Sequence, residues 1–347
     1  MNILHILDEP YDSGISQYGL DAARGLAGRG HRVFVAARPE SWAARQASAA
    51  GLEVWDLRGA GRRAAQAHVE LVNAHTGSGH TLGAWIAFRC GAMLVRTRAD
   101  ARPPSRNLGS QWLHLRRTAR VITPAEYLRR LVVVGYGLPG ERVVTVRPGM
   151  ELEPGLKAPA IQGAPEPDTV GIVGRLDPVK GHRLLLEAVA VVRSRRPGVK
   201  VLVAGREEME TIAGLLMDAG RLGVDQLVEF LGHVPALSSV MSRCAVGVVA
   251  SVGSEAVSRV ALEWMAHGRP LVASAVGCLP EVVEDGVTGR LVPPGDPVRL
   301  GEALLDLLSD PGKASAMGRR GRERVESVFG FRRFAEETER VYEAARR

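Results

Sequence analysis

Aromatic residues make up only 5% of this 347-residue chain, too few for a platform that stacks successive bases, so nucleic acid is not an expected partner. Cysteine is rarer still. Cys90, Cys244 and Cys278 lie far apart with no Cys-x-x-Cys pair, which excludes a disulfide scaffold and a structural zinc site. No apolar run approaches the roughly 18 residues of a membrane span. The opening MNILHILDEPYDSG meets acidic and glycine residues at once and does not read as a secretory signal. A soluble protein of a reducing cytoplasm is the expectation. Glycine is plentiful, at 40 residues, but it has no three-residue period. It therefore signals tight turns and close backbone–ligand approaches rather than collagen.

The balance of 46% apolar and 24% charged residues is ordinary for a globular protein and excludes wholesale disorder. At roughly 150 residues per domain the length suits about two domains. The formal charge is +7, carried mostly by arginine. Such an excess fits anionic ligands or an anionic membrane surface as well as nucleic acid.

Strand-like and helix-like segments alternate along the chain. Residues 2–7 read as a buried strand, and 15–27 as a helix with Tyr18, Ala22 and Leu26 on one face. Strands at 33–36, 70–74, 93–97 and 120–123 follow, with helices at 82–89 and 124–134. Residues 148–168 hold five prolines and no apolar period, and read as a linker. A second α/β run starts at Thr169. Its strands fall at 169–174, 200–204, 227–231, 245–250 and 270–274, and its helices at 184–193, 211–222 and 259–267. The tail from Asp296 is mostly helical. The expected division is residues 1–150, a linker over 151–168, a second domain over 169–330, and a terminal helix over 331–347 with a return to the first domain open to it. This is the βαβ rhythm of parallel sheets covered on both faces.

Three places carry candidate chemistry. Gly14 stands in the first βα turn just before a helix, where free N–H groups favour a phosphate; an ordinary turn is the plain alternative. In VGRLDPVKGHRLLLEAV a strand ends at Gly174, and Arg175 and Lys180 follow beside a helix start. Two cations at the carboxyl end of a parallel strand suit a diphosphate, or they are surface charges. In ASVGSEAVSRVALEWMAHGRPLVAS, Glu255 precedes Glu263 by eight residues. Glu263 sits among apolar helix positions and needs partners: two ribose hydroxyls, nearby backbone, or Arg259 one turn away.

The spacing Glu255-x7-Glu263, the segments GRLDPVKG and EFLGHV, the stretch GRPLVASAVGCLPEVVEDGVTGRLVPPGD and the arginine-rich last helices together resemble the family-4 retaining glycosyltransferases. The resemblance covers nearly the whole chain, strongly from Gly171 to Arg347 and more loosely before. It implies the α/β GT-B fold: two Rossmann-like doubly wound parallel-sheet domains facing a cleft. A nucleotide-sugar donor is held mainly by the second. Arg175 and Lys180 match the cations on the donor diphosphate, Glu263 the carboxylate on the ribose, and Glu255 the acidic residue near the donor sugar. Gly14 matches the glycine turn beside the phosphate, and His233 and Val234 match the loop flanking the base. The family's usual Phe-Gly after the first Glu is replaced by Ala256-Val257-Ser258, which leaves sugar selectivity open. The resemblance implies no metal and no cofactor, the nucleotide sugar being a substrate.

The first domain departs from the pattern. In VRTRADARPP, Ala99 stands where many relatives carry a catalytic His. Asp100 is the candidate to take that role, by accepting a proton or steadying developing positive charge; pairing with Arg98 and Arg102 is the alternative. Arg96 and Arg98 lie at the crevice end of the strand, suited to an anionic acceptor or donor phosphate. His75 and His80, on a Gly-rich loop, line the acceptor pocket or merely hydrogen-bond rather than bind a metal, and His80 is the reserve catalytic residue. SRNLGSQWLHLRRTARV mixes arginines with Trp112 and leucines, which suits the inner membrane surface or an ordinary packed helix. The expected reaction is retaining transfer of a sugar to a glycan or glycolipid acceptor in cell-envelope or lipopolysaccharide synthesis. A nucleotide-sugar epimerase of the same fold and an inactive nucleotide-sugar-binding protein are the alternatives.

Overall fold

The computed structural model describes residues 1–105, 107–152, 165–253 and 255–346. Most of the expected linker, residues 153–164, and Arg106 of the basic segment lie outside them. The chain divides into two compact units, Met1–Gly149 with Phe329–Arg347, and Met150–Val328.

The first unit alternates β1 (Asn2–Leu7), α1 (Gly14–Ala27), β2 (Arg32–Ala37), α2 (Trp42–Ala49), β3 (Glu53–Asp56), α3 (Ala60–Gln66), β4 (Leu71–Ala74), α4 (Gly77–Cys90), β5 (Met93–Thr97), α5 (Leu108–Trp112), β6 (Arg120–Thr123), α6 (Glu126–Tyr136) and β7 (Val143–Thr145). Its sheet runs β3-β2-β1-β4-β5-β6-β7, with every pairing parallel. The central strand β1 is apolar nearly throughout because helices cover both of its faces, and Ile3, Leu4 and Ile6 are fully buried. Leu4, Ile6, Phe34, Trp55, Val72, Ile86 and Leu94 join one core, in which Phe34 and Trp55 stack with ring centroids 4.3 Å apart. Tyr18, Ala22 and Leu26 form the buried stripe of α1, whose start is capped by Ser13 accepting from the Ser16 amide.

The second unit contains β8 (Thr169–Val173), α7 (His182–Arg193), β9 (Lys200–Ala204), α8 (Ile212–Leu222), β10 (Val228–Gly232), α9 (Leu237–Met241), β11 (Val246–Val249), α10 (Arg259–Ala266), β12 (Leu271–Ser274), α11 (Leu279–Val282), β13 (Gly289–Val292), α12 (Pro297–Ser309) and α13 (Pro311–Val328). Its parallel sheet runs β10-β9-β8-β11-β12-β13. Trp264 of α10 is fully buried against Gly171 of β8 and Gly247 of β11, where any Cβ would strike the indole. The last helix, α14 (Phe331–Arg346), packs on the first unit. There the Tyr342 hydroxyl accepts from Asn73 Nδ2 and lies 3.3 Å from His5 Nε2, while Phe334 meets Tyr18 edge-on at 5.0 Å.

Both units are doubly wound Rossmann-like sheets. In each the strand order reverses beside the first strand, between β1 and β4 and between β8 and β11. Ligands of such sheets bind outside the carboxyl ends of the strands at that reversal. The structure corrects one reading: the Gly-rich run 77–79 is not a loop. Thr76 accepts from the Gly79 amide and starts α4 there, placing His80 inside the first turn. No helix among the described residues is long and apolar enough to cross a membrane.

Candidate active site

At the strand-order reversal of the second unit, Lys180 and Glu255 meet. Lys180 Nζ donates to Glu255 Oε1 at 2.6 Å, and the Ser251 hydroxyl donates to the same oxygen at 2.6 Å. Lys180 arrives there because the chain turns sharply after β8. Asp177 caps a 3-10 turn over Pro178–Lys180, and Gly181 adopts φ +74 with its α-carbon pressed on the Ala250 carbonyl. A Cβ at Gly181 would collide with that carbonyl. Glu255 is 4% exposed and is fixed from behind: the Cys278 amide donates to its carbonyl at 2.8 Å. Gly277, at φ +57, lies against the Glu255 backbone. Pairing and hydrogen bonding offset the cost of burying that carboxylate.

The other second-unit candidates are also partnered. Arg175 pairs with Glu208 at 3.2 Å on the surface. Glu263 takes the i, i+4 alternative, with Arg259 Nε 3.2 Å from its Oε1. Ala256 and Val257 are half-buried after Glu255, His233 is exposed just past β10, and Val234 is half-buried beside it. His182, Glu210 and Ser251 gave no sequence signal. Burial, with Lys180 nearby, pushes His182 down to about 4, and Glu210 binds Arg183 at 2.7 Å.

At the reversal of the first unit lies a cavity of about 880 Å³, lined among others by Asp8, His80, Arg96, Arg98, Asp100 and His114. Asp8, just past β1, accepts from Thr76 and Ser78 at the start of α4. Arg96 turns its Nη1 to the carbonyls of Ala74 and Thr97 at 2.9 and 2.7 Å, and burial lowers it to about 10. Arg98, one residue past β5, donates to the Arg102 carbonyl. Asp100 pairs with both flanking arginines, at 3.7 Å to Arg98 and 3.5 Å to Arg102, and accepts from the Arg102 amide at 3.1 Å. His80 is buried, with Nε2 2.8 Å from the Thr118 hydroxyl. Burial, then Arg96 and His114, push it down to about 2, too low for a proton acceptor at neutral pH. His114 was not singled out from the sequence. It stacks on Tyr136 at 3.9 Å and meets His80 edge-on at 4.5 Å. Gly14 opens α1, where Ser13 and Ser16 hold the Glu9 carboxylate. His75 is fully buried in the sheet, its Nε2 3.1 Å from His5 Nδ1, rather than at an acceptor pocket. No three His, Cys, Asp or Glu side chains gather as a metal site among the described residues.

Comparison with known proteins decides the family. Residues 167–310 match the family model described as glycosyl transferases group 1, and residues 13–154 match that of glycosyltransferase family 4. The D-inositol 3-phosphate glycosyltransferase of Streptomyces coelicolor is 32% identical over 322 residues, covering 80% of this chain and 69% of the relative. The chain belongs to glycosyltransferase family 4. The protein of the same name from Segniliparus rotundus is 31% identical over 273 residues, covering 72% of this chain and 61% of its own length. The match spans 52% of the length of the Mycobacterium avium relative. Among solved structures, Anabaena HepE in complex with UDP superposes with TM-score 0.87 at 20% identity, covering 99% of this chain and all of HepE. At that identity the likeness is one of fold, and the two parallel-sheet units are those of the GT-B fold.

Proposed function

We propose that this family-4 glycosyltransferase moves a sugar from a nucleotide diphosphate donor to an acceptor hydroxyl, with retention and without a metal. The observation that carries the reading is the Lys180–Glu255–Ser251 cluster at the reversal of the second sheet. A cation fixed there by a buried carboxylate is preorganised for the negative charge that grows on a leaving diphosphate. Arg175 provides the second cation and Glu263 the ribose contact. HepE, crystallised with UDP, supports a uridine donor. The acceptor belongs in the first-unit cavity, where Asp100, held between Arg98 and Arg102, steadies positive charge. His80 serves as a support of the cavity wall.

The acceptor we assign is an envelope glycan or glycolipid, met at a membrane surface. Residues 77–120 contain eight arginines and a single acidic residue, Asp100. Phe88, Trp112, Trp85 and Leu108 are exposed on this segment, with Arg117 and Arg89 each 5.2 Å over the rings of Phe88 and Trp85. Exposed aromatics among arginines suit an anionic bilayer. Incubation with UDP-hexoses and an envelope glycolipid extract, with NMR of the new anomeric centre, tests the reading. An inverted product would refute retention. Donor epimerised without acceptor would favour the epimerase, and an unaltered donor would leave a binding protein.

A further inference from the structure

Beside the turn that carries Lys180, three buried polar atoms have no hydrogen-bond partner among the described residues: His182 Nδ1, His182 Nε2 and Glu210 Oε2. His182 is 2% exposed and Glu210 6%. His182 Nδ1 stands 4.0 Å from Glu210 Oε2, about an ångström too far for a hydrogen bond. The other Glu210 oxygen accepts from Arg183 Nε at 2.7 Å, and Arg183 also pairs with Asp218 at 3.3 Å. An imidazole and a carboxylate thus face each other in the interior, each with an unmet hydrogen-bonding atom.

Both residues are built into the frame of that turn. The Met209 and Glu210 amides donate to the Leu176 carbonyl at 3.1 and 2.9 Å, and the Leu176 amide donates to the Arg206 carbonyl at 2.8 Å. Leu176 follows Arg175, so the turn with both donor cations rests on the segment that ends in Glu210. His182 opens α7 at the other end of the turn, one residue past Gly181. Burial most strongly opposes a charge on its ring, and Lys180 opposes it next; the Asp177 carboxylate and the backbones of Asp177 and Gly174 favour it. Of these groups, Lys180 is the one whose charge a donor offsets. A diphosphate on its ammonium brings negative charge, and the local balance turns toward a protonated ring facing Glu210.

We propose that His182 is a positioning residue for donor binding: when a nucleoside diphosphate reaches Lys180, His182 Nδ1 closes on Glu210 Oε2 and pins the turn that holds Arg175 and Lys180. The closed pair satisfies two atoms that are otherwise buried and unpaired, and that gain stabilises the occupied turn. Closure takes up a proton on the ring, so donor and proton strengthen each other's binding by the same factor. The proposal rests on the reading of the second unit as the donor site.

The test is calorimetric titration of the full chain with UDP between about pH 5 and 6, in buffers of different ionisation enthalpy, which counts the protons taken up. His182→Asn keeps an N–H donor but takes no proton. Comparing it with the unaltered chain cancels the proton of the UDP terminal phosphate, which titrates near about 6. The unaltered chain should take up roughly 0.3 to 1 proton more per UDP than His182→Asn, and its affinity should fall about two- to tenfold more per unit rise in pH. A histidine with a merely structural role would shift affinity by the same factor at every pH. Glu210→Gln keeps the shape but removes the charge that holds the protonated ring, so it should lose the extra proton too. NMR of the unaltered chain labelled at histidine reads the closure without any variant: one ring should pass from neutral to charged when UDP is added. Equal proton uptake in the unaltered chain and both variants, a loss of affinity independent of pH, or no ring becoming charged would overturn the proposal. If UDP binds while these outcomes occur, only the role of His182 falls; if UDP does not bind at all, the donor-site reading falls with it.

Discussion

Replacing Lys180 by Met removes the ammonium but keeps most of the apolar stem. Glu255 is then left 4% exposed, with the Ser251 hydroxyl still donating to Oε1 and its chief counter-charge gone. Breaking a fully buried pair costs about 3–5 kcal/mol, and an exposed pair is worth about 0–1. The Lys180 side chain is 26% exposed and that of Glu255 5%, so the case lies between these limits. A loss near 2 kcal/mol follows, or a fall of roughly 4–8 °C in the melting temperature of a unit of this size. Glu255→Gln leaves an ammonium that can turn to water and should cost about 1 kcal/mol or less. The double variant should be no worse than Lys180→Met alone, giving a coupling of about 1–2 kcal/mol. Donor binding discriminates further. Lys180→Met should lose about 10- to 100-fold in UDP affinity, the scale of a charge-assisted hydrogen bond, and the double variant should not recover it. Urea denaturation of the four proteins and UDP calorimetry measure both. Additive stabilities with UDP affinity unchanged would refute the reasoning.

Acid should destabilise the first unit early. Burial pushes His5, His80 and His114 down to about 3, 2 and 4, and holds His75 well below its usual value. The unfolded histidines protonate near 6.5 while the folded ones do not. Their contribution is therefore full above pH 6.5 and lost as pH falls toward 4, by up to about 1.4 kcal/mol per pH unit for each histidine. Urea midpoints between pH 7 and 4.5 should fall, with a shallower slope in His114→Phe; a flat profile down to pH 5 would contradict the burial argument. Glu263→Ala should weaken bare UDP, whereas Glu255→Ala in the presence of saturating donor should chiefly lower turnover; equal losses on UDP would undo that division. Asp100→Asn should cut turnover about 10²-fold with UDP affinity nearly constant, and near-full turnover would leave Asp100 only as a prop for Arg98 and Arg102.

The sheets were legible where strands are continuous apolar runs, as at 2–7 and 169–173, because burial on both faces leaves no room for polar alternation. The region from Trp42 to Gln66 was not legible. Its α2 and α3 are rich in alanine and arginine with little apolar period, and β3 has four residues. The run Gly77–Gly79 looked like a loop because glycine disfavours helix, yet the Thr76 cap and packing on β4 override that propensity. At the site, residue types were readable and partners were not. Lys180 and Glu255 are 75 positions apart and meet only through the order of β8 and β11. The Arg259–Glu263 pair was readable because helical spacing is local. His114 carried no signal, since its tautomer depends on the Ser110 carbonyl and its stacking on Tyr136 of another helix.

A crystal structure of the chain soaked with UDP tests the central assignment most directly. The account predicts a phosphate oxygen about 2.7–2.9 Å from Lys180 Nζ, the distance of a charge-assisted hydrogen bond, with Arg175 turned from Glu208 to the diphosphate and Glu263 on the ribose hydroxyls. UDP bound in the first-unit cavity, or bound in the second unit with Lys180 still closed on Glu255 and touching no phosphate, would contradict it.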